Sequence, residues 1–502
     1  MKTAIIGGGI AGLAAAYELE KARVANPASA KSAVTYTLYE SRDRLGGSVS
    51  SHTVNGSVLE RGPDSFLTEK PAATELCREL GLGPDLLPSN DGARKTWIVV
   101  GKRLVGLPDG LMFLVPTKLV PTALSPLFSI RTKIRMGLEL LHPPRPSTGD
   151  ESVAALVERH FGHEAVERLA DPLLSGIYGG DACQLSARTV LPRLVEMEEQ
   201  YGSLTRGMLA AHKRMKAAMA ARAKAAEAGP SHAPADRLKS MGGQSAGGRG
   251  VFTTLRGGLQ QMVDAITAKL DPLSVRLSTQ VDAVERTASG WQITAAGETA
   301  MYNNVIVASP SWAASGLLAR VDASLSEDLA GIPYSSSITV NLIYEEAALG
   351  PLPEGFGFLV PTSSGRAMLA CTFAHRKFLG RTAPGKAVLR AFLGGMRNDA
   401  LMAEPDNVLI AIVRRELSEI LGSRTIGLHI EPEFAEVNRW RRAMAQYAVG
   451  HQERMVRISD RVAALPGLYL AGNAYDGIGI PDCIRLGRKA ATRAMGKPGD
   501  AR

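Results

Sequence analysis

Six residues near the start of the chain, Gly7-Gly8-Gly9-Ile10-Ala11-Gly12, carry the spacing GxGxxG between an apolar run (Lys2–Gly7) and a helical stretch from Ile10 to about Ala22. The chemistry this suits is the holding of a dinucleotide. Gly7 permits the tight turn, Gly9 lets the backbone come close to a pyrophosphate, and Gly12 lets helix and strand pack, while the helix N-terminus meets the phosphate charge. The next strand, Val34–Tyr39, ends in Glu40, placed to accept hydrogen bonds from ribose hydroxyls. The distance from Gly12 to Glu40 exceeds the usual one because the polar segment NPASAKS, residues 26–32, intervenes. An acidic residue there favours a free 2′-hydroxyl, so FAD or NAD over NADP.

Two further features choose FAD. Glu40 is followed by Ser41-Arg42-Asp43-Arg44-Leu45-Gly46-Gly47, a second glycine turn that puts Arg44 near the pyrophosphate. More than 400 residues later, Leu470-Ala471-Gly472-Asn473-Ala474-Tyr475-Asp476-Gly477-Ile478-Gly479-Ile480 forms another strand–glycine–helix turn. Its helix N-terminus can face the pyrimidine edge of a flavin, where dipole charge stabilises the reduced ring. Two such turns at opposite ends of one chain point to one bound dinucleotide.

The elements that must position these turns follow from the rest of the chain. At ~100–200 residues per domain, 502 residues make two to four structural units. Residues 2–39 read as a βαβ unit, 274–310 as short strands, 205–228 as an Ala-rich basic helix, and 468–471 with 479–495 as a closing strand and helix. Residues 229–250, rich in Gly, Pro and Ser, read as a flexible insertion. The net charge of +9 gathers partly in residues 211–250, which hold eight Lys/Arg against Glu227 and Asp236. That surplus suits a solvated face, anionic lipid or an acidic small molecule, and no zinc-finger or RNA-recognition signature accompanies it. Cys77, Cys183, Cys371 and Cys483 lie far apart, which argues against a disulfide framework or a zinc site and for a reducing compartment. The expected location is therefore the cytoplasm. No signal peptide is read before the first strand, and no apolar run reaches the ~18–20 residues needed to span a bilayer. Leu104–Ile130 is apolar but broken by Pro108, Pro116, Pro121 and Pro126, and flanked by Lys102, Arg103, Arg131, Lys133 and Arg135. It reads either as short helices packed into a core or as an interfacial element on an anionic membrane surface.

The ExxxRxGG continuation, Glu60-Arg61-Gly62-Pro63-Asp64-Ser65-Phe66, and the closing LAGNAYDGIGIPDCIRLGRKAA resemble the oxygen-dependent protoporphyrinogen oxidases of the flavin amine oxidase superfamily, bacterial coproporphyrinogen oxidases included. DPLLSGIYGGD at 171–181, FTTLRGGLQQMVDAI at 252–266, PLPEGFGFLVP at 351–361 and WRRAMAQYAVGH at 440–451 extend the resemblance over nearly the whole chain. It implies an α/β fold: a Rossmann-like FAD-binding domain of the amine-oxidase type (residues 1–88, 250–310 and 436–502), a mixed-sheet substrate domain (89–103 and 311–435) and a helical, membrane-facing domain (104–228).

The resemblance also implies site residues. Non-covalent FAD would be held by Gly7, Gly8, Gly9, Ile10, Ala11, Gly12, Glu40, Ser41, Arg44, Gly47, Ser48, Gly62, Pro63, Asp64, Ser65, Val281, Trp440, Ile478, Gly479 and Ile480. Ser48 stands where a basic residue is more usual. Asn473-Ala474-Tyr475 lacks the cysteine by which some amine oxidases tether their flavin. The substrate would meet Gly176, Leu352 and Phe373, with Arg94 and Lys95 as candidate partners for its carboxylates. The implied reaction is six-electron oxidation of a porphyrinogen (protoporphyrinogen IX, alternatively coproporphyrinogen III) in heme biosynthesis, three O2 becoming three H2O2. A flavin amine oxidase or desaturase, and a non-catalytic flavin- or tetrapyrrole-binding protein, are the competing readings. Because the flavin accepts the hydride, no side chain is assigned to catalysis and no metal is expected. Cys371 and Cys483 are assigned to packing, and His375 and His451 read as surface or structural histidines outside catalysis. A homodimer and hand-over of product to a ferrochelatase are further expectations.

Overall fold

The computed structural model describes residues 1–25, 34–112, 114–145, 149–227 and 250–496. Of the expected insertion at 229–250 only Gly250 falls among them. A five-stranded parallel sheet runs in the order 275–276, 35–39, 2–6, 304–307, 468–470. Its strands are apolar on both faces, as a sheet covered twice must be. One face packs Ile5, Leu38 and Ile306 against helices Ile10–Ala25, Gln260–Thr267 and Ile480–Ala494. The other packs Ala4, Ile6, Val305 and Val307 against Trp291 and Ile293 of an antiparallel meander, Val281–Thr287, Gly290–Ala295 and Glu298–Tyr302. The two terminal helices touch directly: a Cβ on Gly487 would overlap the Ala11 carbonyl.

A seven-stranded mixed sheet forms the second unit, in the order 434–445, 334–345, 386–394, 368–373, 357–359, 96–100, 103–106. Helix Asp406–Leu421 covers its apolar face through Leu409, Val413 and Leu417. Three boundaries differ from expectation. The expected start of the closing FAD segment at 436 falls inside strand Phe434–Ala445, which belongs whole to the large sheet as its edge. Helices Ser311–Leu318 and Ala323–Ala330, read as part of the substrate unit, bury Ala314, Leu318, Leu325 and Leu329 in the core shared with the meander. They therefore side with the parallel sheet. The stretch from Leu104 is not helical at its start: Arg103–Gly106 is the edge strand of the large sheet, and Leu111–Met112 pairs with Val115–Pro116. Helix begins only at Leu119–Leu124 and resumes at Ile130–Leu138.

The third unit is helical, with a core of Phe128, Met136, Leu156, Val157, Phe161 and Leu169. Its basic helix runs Leu204–Glu227, and buried Glu139 caps its start by accepting the Leu204 N–H at 2.6 Å. His160 sits between Glu139 (3.0 Å) and Glu198 (3.3 Å). Burial opposes its protonation, yet the two carboxylates prevail and raise its pKa. No helix among the described residues is long and apolar enough to cross a membrane.

Candidate active site

The first glycine turn is held by sterics that exclude a side chain at Gly7 and Gly12. Gly7 has φ +110°, and a Cβ there would stand 2.9 Å from the Ala308 backbone; one on Gly12 would overlap the Gly7 carbonyl. Gly9 has nothing within 4 Å of its Cβ direction, so its backbone faces open space. The second turn stacks on the first. The Gly46 N–H donates to the Gly8 carbonyl at 2.8 Å, and Gly47 has φ +61° with its Cβ direction 3.1 Å from Gly9 Cα. Glu40 spans the two turns, Oε2 accepting from the Gly8 N–H (2.7 Å) and Oε1 from the Arg42 N–H (2.9 Å). Oε1 also accepts from the Ser41 hydroxyl at 3.4 Å, so it is Oε2 that keeps a lone pair for a ribose hydroxyl.

A third loop, Glu60–Ser65, is pinned by side chains of the large sheet. Asn341 Nδ2 donates to the Glu60 carbonyl (3.0 Å), while Thr339 Oγ1 (2.7 Å) and Trp440 Nε1 (2.8 Å) both donate to that of Arg61. Arg390 donates to the Gly62 carbonyl, and Lys377 Nζ reaches both Asp64 oxygens at 3.0 and 2.8 Å. Burial alone would raise the Asp64 pKa, but Lys377 and Arg390 outweigh it and hold the carboxyl well below its usual range. Glu60 is different: burial raises its pKa, offset in part by Arg381, whose guanidinium donates at 2.5 Å. The fourth loop, 472–479, hangs on Tyr447. Its hydroxyl donates to the Asn473 carbonyl (2.9 Å) and accepts from the Gly477 N–H (2.8 Å), and its ring stacks on His451 at 4.2 Å.

These four loops line one cavity of about 1520 Å³. That exceeds the ~300–1,000 Å³ of a pocket built for a single small ligand. Of the residues expected at FAD, Gly7, Gly9, Ile10, Ala11, Glu40, Ser41, Gly47, Ser48, Gly62, Pro63, Asp64, Ser65, Val281, Trp440, Ile478, Gly479 and Ile480 line it. Gly8 and Gly12 stand behind the wall as buttresses. Arg44 does not line the cavity; its guanidinium donates to the carbonyls of Leu45, Gly47 and Val49, tying the second turn together from behind. The chamber continues between helix Asp171–Tyr178 and the large sheet, along Leu173, Gly176, Ile177, Phe356, Leu359 and Phe392. Gly176 is thus where expected, with its Cβ direction 3.0 Å from Leu359.

The other substrate candidates are not brought to the chamber. Phe373 is fully buried behind its wall, 6.2 Å from the Phe358 ring with the Arg376 guanidinium 5.8 Å from its own, because its strand alternation turns it into the sheet core. Leu352 lies in the same core. Arg94 is exposed outside, and Lys95 rests its ammonium 4.3 Å over the Trp97 ring. Sequence reasoning assigned no role to Lys377, Arg390 or Tyr447. Tyr447 lay inside a recognised stretch, whereas Lys377 and Arg390 had no local signal, since their partners are more than 300 residues away.

The cavity suits a flavin dinucleotide: two helix N-termini open into it, two stacked glycine turns expose backbone, and the buried Ser309 and Tyr475 hydroxyls on its wall pair with no protein group. Residues 10–495 match the family of flavin containing amine oxidoreductases. This chain belongs to that family. Among its relatives is the coproporphyrinogen III oxidase of Bacillus subtilis (strain 168), 32% identical over 98% of this chain and 97% of that one. The chloroplastic protoporphyrinogen oxidase 1 of Arabidopsis thaliana is 30% identical over 96% of this chain and 85% of its own length. A crystal structure from Exiguobacterium sp. 255-15, provisionally named a protoporphyrinogen oxidase, superposes with a TM-score of 0.81 at 30% identity, covering 98% of both chains. As a member of this flavoprotein family, the chain is an oxidoreductase with FAD as its cofactor.

Proposed function

We propose that this flavoprotein oxidises a porphyrinogen to the corresponding porphyrin in heme biosynthesis. The carrying observation is the shape of the chamber: beside the cofactor loops it opens into a broad apolar cleft between Gly176 and Phe356 with the strand Gly357–Leu359. Bound FAD supplies the hydride acceptor and passes electrons to O2. The chain's residues do the rest. Leu173, Ile177, Phe356 and Phe392 exclude water from a flat apolar ring system, and Gly176, lacking a side chain, leaves room for it. Lys377 and Arg390 are engaged by Asp64 and the Gly62 carbonyl, so they serve the loop rather than the substrate. Arg442 lines the same cavity with its guanidinium 4.7 Å over the Trp312 ring, a cation within reach of an anionic ligand. The substrate loses six electrons and six protons, and three O2 take them up as three H2O2.

Protoporphyrinogen IX and coproporphyrinogen III both fit this reading. The relatives at 32% identity, from Bacillus subtilis and Propionibacterium freudenreichii, bear the coproporphyrinogen name. Aerobic assay of the FAD-loaded protein with each compound tests the proposal through porphyrin fluorescence and a peroxide-to-porphyrin ratio of three. A flavin-loaded enzyme that turns over amines and neither porphyrinogen would overturn it.

A peripheral position on an anionic membrane surface belongs to the same proposal. Helices Leu119–Leu124 and Ile130–Leu138 expose Val120, Leu124, Ile130, Ile134 and Leu138 next to Arg131 and Lys133, the residue mix of an interfacial element. Ile130, Ile134 and Leu138 recur at the i, i+4 spacing of one helix face. The protein is expected to pellet with anionic vesicles, and the Leu124→Asp/Ile134→Asp double variant to remain in the supernatant with its melting temperature unchanged. Equal pelleting of the two would count against this part.

A further inference from the structure

Asp482 is the third residue of helix Ile480–Ala494 and puts a buried carboxylate at that helix's positive end. Its Oδ2 accepts from the Gly479 N–H at 3.3 Å. Such a carboxylate steadies the helix, but it also cancels the field that would favour added electron density on a flavin. Lys70, more than 400 residues away in sequence, meets it: Nζ donates to Asp482 Oδ2 at 2.7 Å. Both residues line the cavity. The other cation nearby, Arg485, stands 3.9 Å from Oδ1 and spends its hydrogen bonds on Asp476. Lys70 is therefore the direct counter-charge.

The position of this pair follows from helix packing. Gly487 abuts Ala11, beside the turn that suits the diphosphate. Seven residues back along the helix, at ~1.5 Å each, bring Ile480 about 10 Å from that contact. One N-terminus would thus serve the phosphates of a bound dinucleotide, and the other would face its far end, the isoalloxazine.

We propose that Lys70 and Asp482 form an opposed pair of charges that sets the reduction potential of the bound flavin, Lys70 stabilising the reduced ring and Asp482 opposing it. Lys70 is a positioning charge that acts through the field at the helix terminus, and it accepts no hydride or proton. The inference rests on FAD binding and not on which compound is oxidised.

The test is equilibration of flavin-loaded, full-length protein with a reference dye under nitrogen, without porphyrinogen. Lys70→Met is expected to lower the reduction equilibrium constant about tenfold, which for a two-electron couple is about 30 mV. Asp482→Asn is expected to raise it, the double variant to fall between the two, and Lys70→Arg to match the parent. Single variants that shift in the same direction, or that leave the potential of a fully loaded flavin unmoved, would overturn the proposal. If Asp482→Asn fails to retain FAD, Lys70→Met against Lys70→Arg decides alone: a tenfold difference supports the pair and equal potentials refute it. Porphyrinogen turnover plays no part in the readout, so failure here is distinct from failure of the substrate assignment.

Discussion

At the dinucleotide end of the cavity the wall is mostly backbone, cinched by side-chain hydrogen bonds. Glu40 joins two glycine turns, Arg44 ties the second from behind, and four side chains of the large sheet, with Lys377 of the short helix Ala374–Lys377, hold the carbonyls and carboxylate of residues 60–64. At the other end the wall is side chains, Leu173, Ile177, Phe356, Leu359 and Phe392, with Gly176 as the gap between them. The first end grips by hydrogen bonds whose geometry is set before a ligand arrives, which lowers the entropic cost of binding. The second selects by width and polarity. Cofactor retention and substrate choice are therefore separable properties, and they fail under different substitutions.

The largest effect is expected at Gly12. With a Cβ there overlapping the Gly7 carbonyl, Gly12→Val should lose bound flavin altogether, together with about 4 kcal/mol or more of folding stability, read by flavin-to-protein ratio and thermal melts. A fully loaded variant would contradict the rigid reading of this end.

His451 links that rigidity to pH. Burial pushes its pKa down from 6.5 to about 4, so the folded chain keeps the ring neutral under Tyr447. Above pH 6.5 both folded and unfolded states are neutral and stability is complete. As pH falls from 6.5 toward 4 the unfolded chain takes up the proton first, and about 3 kcal/mol is lost. His451→Phe should flatten the dependence of melting temperature on pH across that window; a parallel curve would remove His451 from the account.

Phe392 and Phe373 sharpen the contrast between wall and core. Phe392→Ala is expected to raise KM about tenfold with flavin content unchanged, since the side chain faces the chamber. Phe373→Ala is expected to cost about 3–5 kcal/mol of stability as a core truncation, with KM unmoved in the folded fraction. A reversed pattern would put Phe373 back at the substrate. The smallest effect belongs to Arg94→Ala and Lys95→Ala, both outside the cavity, for which KM should change less than twofold.

The difference between the ends also explains what could be read from the chain. Glycine turns are local: Gly7–Gly12, Glu40–Gly47 and Gly472–Ile480 carry their geometry within a few residues, and the structure finds them where their spacing places them. The substrate wall is assembled from a helix at 171–178 and strands at 357–359, 368–373 and 386–394, and which strand residues reach the cavity depends on sheet register. A one-residue difference in register separates a lining position from a core one, which is how Phe373 comes to lie behind the wall; Leu352, in the loop before strand Gly357–Leu359, packs into the same core. Lys377 and Arg390 were invisible for a related reason. Their roles exist only once distant loops are brought against the sheet. The same holds for helices Ser311–Leu318 and Ala323–Ala330, whose apolar faces give no hint of which sheet they cover.

The central claim, that this flavin receives electrons from a porphyrinogen, is tested most directly by anaerobic mixing of the FAD-loaded protein with coproporphyrinogen III or protoporphyrinogen IX in a stopped-flow spectrophotometer. The account predicts rapid loss of the oxidised flavin's visible absorbance with at least one of them, and its return when O2 is admitted. A protein carrying its full complement of FAD whose absorbance stays unchanged with both would contradict it.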